Sequence, residues 1–177
     1  MMPYTPEEVR NAVEAGPITE EYRADAKRVV EQLNRLRATE IASYLQYKQH
    51  AYTAVSLLSS ALKSEFAAHA EIELQHADIL GERIQQLGGM PVYSPTEIAR
   101  KADEEGVRAE QGATLAEMVT ENLMLERRQV AAYTALLREI ADSDPTTARM
   151  LGAILAETEK HAAELADYLK RTTEPSR

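Results

Sequence analysis

The chain has 177 residues, with 29 acidic and 20 basic side chains and a net charge of −9. It contains no cysteine, which excludes disulfide frameworks, iron–sulfur clusters and thiolate zinc sites, and it has no run of about 18 apolar residues that could span a membrane. Apolar residues make up 44% and aromatic residues 5%, a balance that favours one helical core over a sheet.

Start and stop signals in the sequence predict four long helices and two short ones. In chain order they are expected at about 6–15, 20–57, 60–87, 95–104, 115–141 and 145–171. Capping boxes open three of them, at Thr5, Ser94 and Thr114. Thr19 is the expected cap of the first long helix, and Gly88-Gly89 ends the second.

The connections between the long helices predict their topology. Short turns join the first to the second and the third to the fourth, so each pair forms an antiparallel hairpin. Residues 88–113 form a longer connection, which suits a crossover along a helix of about 40 Å. We therefore expect a four-helix bundle with one long crossover over residues 20–171, an N-terminal extension at 1–19 and a tail at 172–177.

Each long helix carries an apolar stripe at three- and four-residue steps, and the middle of every stripe is polar. The polar positions are Glu40, Glu73, His76, Glu126 and His161. Counted from the predicted turns, all of them lie at about the same height in the bundle. Buried carboxylates at one level are costly and repel one another, so a cation is expected among them.

The residue types and spacing at this level are typical of a two-metal carboxylate site. Glu73 and His76 form an E-x-x-H step, which places an oxygen and an imidazole on one helix face. Oxygen ligands with two histidines suit iron or manganese. His69, one turn before Glu73, is expected to support the site or the core rather than bind metal. The alternative is a metal-free Glu–His network that fixes the helix register.

The two predicted hairpins share a spacing between a glutamate and a tyrosine. Tyr47 follows Glu40 by seven residues, and Tyr133 follows Glu126 by the same interval. These tyrosines are either core residues with satisfied hydroxyls or partners of the site in hydrogen bonding or redox chemistry.

The chain resembles the ferritin superfamily, in particular its bacterioferritin-like and Dps-like (DNA-protection-type miniferritin) branch, through the stretches LNRLRATEIASYLQYKQH, FAAHAEIELQHADILGERIQQLGGMP, LMLERRQVAAY and ILAETEKHAAEL. The resemblance covers roughly residues 20–170. It implies a di-iron ferroxidase that oxidises Fe(II) with O₂ or H₂O₂ in an oligomeric cage storing Fe(III). By position, the implied metal ligands are Glu40, Glu73, His76, Glu126 and His161.

One position departs from the family pattern. The family has a second E-x-x-H, but here Thr158 stands three residues before His161. A threonine hydroxyl is a poor metal ligand, and the neighbouring Glu157 is a candidate replacement because ligand pairs four residues apart occur in helical metal sites. Two alternatives remain: a degenerate or single-metal shell without oxidase activity, and a di-manganese enzyme that disproportionates peroxide.

Further departures define the subtype that the resemblance implies. Leu74 stands where bacterioferritins carry a haem-ligating methionine, so no haem is expected. Only 16 residues follow His161, too few for the fifth helix of twenty-four-chain ferritins, which favours a twelve-chain shell. DNA binding is not expected, because the net charge is negative and the first 19 residues contain a single basic residue, Arg10. The start of the chain lacks a signal-peptide pattern, so we expect a cytoplasmic protein without a membrane partner.

Overall fold

The structure is a computed structural model that describes residues 3–56, 60–110 and 112–173. Over that part of the chain it contains six α-helices and no strand, which confirms the all-α prediction. In chain order the helices are α1 Pro6–Ala15, α2 Ala26–Ser56, α3 Ser60–Gln86, α4 Pro95–Glu104, α5 Leu115–Ile140 and α6 Pro145–Thr173. The predicted turn at 57–59 and the end of the tail at 174–177 lie outside the described residues. None of the described helices combines the length and apolar character needed to cross a bilayer.

Two of the three predicted capping boxes are complete; at Ser94 only the hydrogen bond from the backbone N–H of Glu97 to the serine side chain forms. Thr5 and Thr114 each accept a hydrogen bond from the backbone N–H three residues later, and the glutamate at that position accepts one from the cap. Asp144 caps α6 in a similar way, accepting from the backbone N–H of Thr147 at 3.0 Å. Gly88, with φ of +76°, takes the left-handed conformation that follows the end of α3.

The predicted start of the first long helix at residue 20 is wrong. The helix begins at Ala26, because Asp25 provides the cap and accepts a hydrogen bond from the backbone N–H of Arg28 at 3.1 Å. Thr19 lies in a turn, where its hydroxyl donates to Glu21 at 2.8 Å. At the other end, α6 continues through Thr173, two residues beyond the predicted boundary.

Helices α2, α3, α5 and α6 form the four-helix bundle, and side-chain contacts give their directions. In each contacting pair, residue numbers fall on one helix as they rise on the other. The pairs are Glu40–Tyr133 and Gln46–Asn122 between α2 and α5, Glu40–His76 and Lys48–Glu71 between α2 and α3, and His76–Glu157 and Arg83–Thr147 between α3 and α6. Since α3 and α5 both run antiparallel to α2, they are parallel to each other. The segment between them is therefore the long crossover, which carries α4.

The bundle core has two apolar clusters separated by a polar layer. One cluster is built around Leu33, Leu36, Leu80, Ile84, Leu136, Ile140, Leu151 and Ile154. The other contains Ala51, Ala54, Leu62, Phe66, Met118, Val119 and Leu165. The apolar clusters hold the four helices in register above and below the layer, so the layer is isolated from solvent along the bundle axis.

A buried ion pair anchors the N-terminal segment to the bundle. Arg83 donates to both carboxylate oxygens of Asp144, at 3.0 and 3.2 Å, and to the hydroxyl of Thr147 at 2.7 Å. Tyr22 donates to the same carboxylate at 2.9 Å. Burial acts to raise the pKa of Asp144, but the hydrogen bonds from Thr147 and Tyr22 and the charge of Arg83 hold it below its usual value. Helix α1, by contrast, has no buried residue.

Candidate metal centre

The polar layer brings together side chains from all four bundle helices. The five residues singled out from the sequence, Glu40, Glu73, His76, Glu126 and His161, are each no more than 1% exposed. Together with His69, these residues form two groups of three. Within each group, every residue offers one oxygen or nitrogen atom that lies within 4.8 Å of those of the other two. The first group is Glu40, Glu73 and His76, and the second is Glu126, His161 and His69. From the sequence, His69 is expected only to support the site or the core, but the structure groups it directly with two candidate ligands.

Glu73 belongs to the first group but also contacts a histidine of the second. The Nδ1 atom of His161 is 3.4 Å from a carboxylate oxygen of Glu73 and 3.4 Å from one of Glu126. In the first group, Nδ1 of His76 is 3.4 Å from Oε2 of Glu40. A carboxylate shared in this way is placed to contact cations on both sides.

The inward atoms of the layer lack hydrogen-bond partners. They are Oε2 of Glu40, Oε1 of Glu73, Oε2 of Glu126 and the Nδ1 atoms of His69, His76 and His161. Two pairs of these atoms approach to 3.4 Å, Nδ1 of His76 with Glu40 and Nδ1 of His161 with Glu73, but without hydrogen-bond geometry. Buried polar atoms are normally hydrogen-bonded, so a layer held by such contacts is left incompletely satisfied. Three carboxylates and three imidazoles are a donor set for iron or manganese, and the layer fits a pair of such ions.

Two tyrosines hold the carboxylates of α2 and α5 across the bundle. The hydroxyl of Tyr47 donates to Oε1 of Glu126 at 2.5 Å, and the hydroxyl of Tyr133 donates to Oε1 of Glu40 at 2.5 Å. Both tyrosines are fully buried. Each tyrosine thus fixes one oxygen of a carboxylate and leaves Oε2 without a hydrogen-bond partner. The Oε1 atom of Glu126 that Tyr47 binds also lies 3.4 Å from Nδ1 of His161. Tyr47 and Tyr133 are the residues of the seven-residue repeat noted in the sequence.

Gln129 has a similar role for the central carboxylate, and sequence reasoning assigned it none. Its Nε2 donates to Oε2 of Glu73 at 3.2 Å. The available signal was its place in the stripe of α5, one turn after Glu126, because a glutamine that faces a bundle core needs a polar partner.

Thr158 and Glu157, the two residues at the departure from the family pattern, have different surroundings. Thr158 is 1% exposed, and its hydroxyl donates to the carbonyl of Ile154 at 3.0 Å. The side chain of Glu157 is 60% exposed, and its Oε2 is 2.7 Å from Nε2 of His76, the ring nitrogen on the far side from Glu40. Glu157 belongs to neither group of atoms within 4.8 Å, so its role as a direct ligand stays a prediction.

Burial and mutual repulsion shift the titration of the carboxylates. Burial and the charge of Glu40 raise the pKa of Glu73 to about 7. Burial and the charge of Glu73 raise the pKa of Glu126 to about 7. In the metal-free protein these side chains therefore hold protons near neutral pH.

The histidines respond to the same charges in the opposite sense. Burial opposes protonation, but contacts with Glu40 and Glu157 raise the pKa of His76 to about 9. Contacts with Glu126 and Glu73 likewise overcome burial and raise the pKa of His161 to about 10. Positive charge in the layer is thus supplied by protons, which a bound cation would displace.

His69 differs from the other two histidines in its titration. Burial and the neighbouring His161 lower the pKa of His69 to about 4. Its imidazole is therefore neutral near pH 7, the form in which histidine binds a metal.

Comparisons with known proteins agree with this geometry. The family profile described as a ferritin-like domain matches residues 30–174. A nutrient stress-induced DNA-binding protein of Synechococcus sp. is 29% identical over 146 residues, which cover 80% of each chain. A bacterioferritin of Desulfovibrio desulfuricans is 28% identical over 141 residues, covering 78% of this chain and 73% of the relative.

Two solved structures share the fold. The dodecameric thioferritin of Bacteroides fragilis, a bacterioferritin-related protein, superposes with a TM-score of 0.75 at 28% identity, covering 85% of this chain and 89% of the other. The diiron bacterioferritin of D. desulfuricans superposes with a TM-score of 0.72 at 23% identity, over 82% and 80% of the two chains.

Proposed function

Because the chain belongs to the ferritin-like family, we propose that it oxidises and stores iron, with a di-iron ferroxidase centre in the polar layer of each bundle. The observation that carries the proposal is a set of six buried atoms without hydrogen-bond partners. They belong to three carboxylates and three imidazoles in one layer. Such a layer is unfavourable when empty of positive charge and is stabilised by two divalent cations.

The ligands divide between the two ions. Glu40 and His76 would hold one ion, Glu126 and His161 the other, and Glu73 would contact both. As substrates, two Fe(II) ions would together supply two electrons, which with two protons from water would reduce H₂O₂ to two waters or O₂ to H₂O₂ while both ions become Fe(III). The three carboxylates stabilise the charge that rises on oxidation.

The surrounding residues keep the ligands in place. Tyr47, Tyr133 and Gln129 each donate to one oxygen of a carboxylate, which supports the orientation of the whole carboxylate group. The apolar clusters above and below exclude bulk water from the layer. Buried His76 contacts the exposed side chain of Glu157 directly. The edge of the centre at His76 is therefore linked to the protein surface.

Anaerobic Fe(II) binding followed by stopped-flow oxidation tests the proposal. Wild-type protein should bind two ions tightly per chain and oxidise them with O₂ or H₂O₂. The double variant Glu40→Ala and Glu73→Ala should lose both properties, whereas the exposed control pair Glu82→Ala and Glu159→Ala should keep them. Unchanged oxidation in the first double variant would show that this layer is not the catalyst.

A second candidate is a degenerate or single-metal shell without oxidase activity. Its support is Thr158, whose hydroxyl is already bonded to a backbone carbonyl. One tightly bound ion per wild-type chain, without oxidation of Fe(II), would favour this candidate. Release of O₂ from H₂O₂ by manganese-loaded protein without Fe(II) would instead assign a peroxide-disproportionating enzyme.

We also propose that the chain assembles into a twelve-chain shell, since the B. fragilis relative is dodecameric. Twelve chains of 19.7 kDa give about 236 kDa, which light scattering after size-exclusion chromatography distinguishes from a twenty-four-chain cage.

A further inference from the structure

The substitution at Thr158 leaves one half of the centre short of a ligand. This half contains Glu126 and His161, and Thr158 precedes His161 by three residues on the same helix. We propose that His69 supplies the missing ligand through Nδ1, so that the second ion is held by Glu126, His161, His69 and the shared Glu73. This inference rests on the proposed function, because it assigns a ligand within the proposed di-iron centre.

The position of His69 meets the first requirement of a ligand. It lies on α3, one turn before Glu73, and is 4% exposed. Its Nδ1 is buried without a hydrogen-bond partner, and it offers a nitrogen within 4.8 Å of ligand atoms of Glu126 and His161. A buried imidazole nitrogen without a partner beside a carboxylate and a second imidazole is unfavourable unless a cation joins them.

The other ring nitrogen of His69 meets the second requirement. Nε2 of His69 is 3.3 Å from a carboxylate oxygen of Glu164, in the arrangement by which metal-binding histidines are oriented through their second nitrogen. A proton held on Nε2 leaves the lone pair of Nδ1 free to accept a cation. His76 is presented in the same way, with Nδ1 toward the layer and Nε2 against Glu157. Glu157 and Glu164 lie seven residues apart on α6, so one face of that helix orients both histidines.

This arrangement also distinguishes His69 from Glu157 as the replacement. Glu157 contacts the outer nitrogen of His76, on the half of the centre that already has its ligands. Its side chain is 60% exposed, whereas that of His69 is 5% exposed. The neutral imidazole in place of a carboxylate leaves three carboxylates facing two ions.

The rings of His69 and His161 are stacked, with centroids 4.0 Å apart and 15° between their planes. The lone pair of an imidazole nitrogen lies in the ring plane, so one ion cannot be reached by both rings while they remain parallel. Binding therefore requires His69 to turn out of the stack, and the exposed Glu164 at its outer nitrogen can follow that movement. Loss of the stack on metal binding is a structural signature of the proposed ligand.

The test is an anaerobic calorimetric titration with Co(II), a probe that needs no oxidation. Wild-type protein should bind two ions per chain. His69→Gln should keep one tight ion and weaken the second at least tenfold. The double variant His69→Gln with Thr158→Glu should regain the second ion, which separates loss of a ligand from loss of the fold. His50→Gln is the matched control, because His50 is also buried and contacts Asn122 but lies outside both groups; it should bind two ions.

The outcomes separate the inference from the proposed function. Two tight ions in His69→Gln would overturn the assignment of His69. A single ion in wild-type protein, unchanged in His69→Gln, would overturn it as well. No tight ion in wild-type protein would instead refute the proposed centre as a whole. Ring signals of His69 that keep the stacked geometry with Zn(II) bound would also contradict the proposal.

Discussion

Binding of two ions to the polar layer should release about three protons per chain at pH 7. The pKa values of His76 and His161 are raised to about 9 and about 10, so each carries a proton that an ion must displace. Glu73 and Glu126, with pKa values of about 7, are each about half protonated and add about one proton together.

The release of protons makes metal affinity depend steeply on pH. With about three protons released, the overall constant for two ions should fall about a thousandfold from pH 7 to pH 6. At pH 9 the carboxyl groups are ionised and His76 is about half deprotonated, so roughly half as many protons should be released. Affinity therefore rises with pH, and less steeply above neutrality.

Anaerobic calorimetry with Co(II) in phosphate and Tris buffers measures the protons released, because the two buffers differ in their enthalpy of ionisation. The variant His161→Gln should release about one proton fewer at pH 7 for the ions it still binds. Release of fewer than one proton by the wild-type protein, or equal affinity at pH 6 and pH 7, would refute the charge balance derived for the layer.

Further outcomes follow from the same contacts. Tyr133→Phe removes the donor to Glu40 and should weaken binding of the first ion by about 10–100-fold, measured by the same titration, whereas unchanged affinity would contradict the positioning role. Asp144→Ala leaves Arg83 buried without its partner and should lower the free energy of unfolding by about 3–5 kcal/mol in urea titrations, while the exposed Asp142→Ala should change it by less than about 0.5 kcal/mol. Metal-free protein should lose stability as pH rises from about 7 to about 10, since the raised pKa values of His76 and His161 make the folded state bind more protons than the unfolded chain; this range lies above the one in which the lowered pKa of His69 acts in the opposite sense, and thermal melts that improve with pH there would contradict the prediction. Despite the name of its Synechococcus relative, the protein should not retard duplex DNA in a gel at about 150 mM salt, because its net charge is −9.

The sequence predicted the bundle and the composition of its polar layer well. A polar residue in the middle of an otherwise apolar stripe has few explanations, so Glu40, Glu73, Glu126 and the two histidines stood out on four separate helices. Their common height followed from counting residues back to the turns, because helical rise is constant. The same regularity placed Tyr47 and Tyr133 at equivalent positions, but their reciprocal contacts with Glu126 and Glu40 are visible only in the structure.

Features that depend on side-chain direction could not be predicted from the sequence. Thr19 and Asp25 are both good caps, and the choice of Asp25 places Tyr22 outside the helix, where it contacts Asp144 from the far end of the chain. Glu157 and Thr158 are about 100° apart on a helix, an interval too small to decide from spacing which one faces the layer. The inward nitrogen of His69 likewise depends on its contact with Glu164.

The contact between Tyr22 and Asp144 spans 122 residues, and it affects the order in which the polypeptide folds. During synthesis, α2 and α3 can pair while the ribosome is still making the second hairpin, since their contacts are local. The hydroxyl of Tyr22 lacks its acceptor until Asp144 has emerged and the turn before α6 has formed. The N-terminal segment should therefore dock last, and a nascent chain stalled before residue 144 should leave that segment open to proteases.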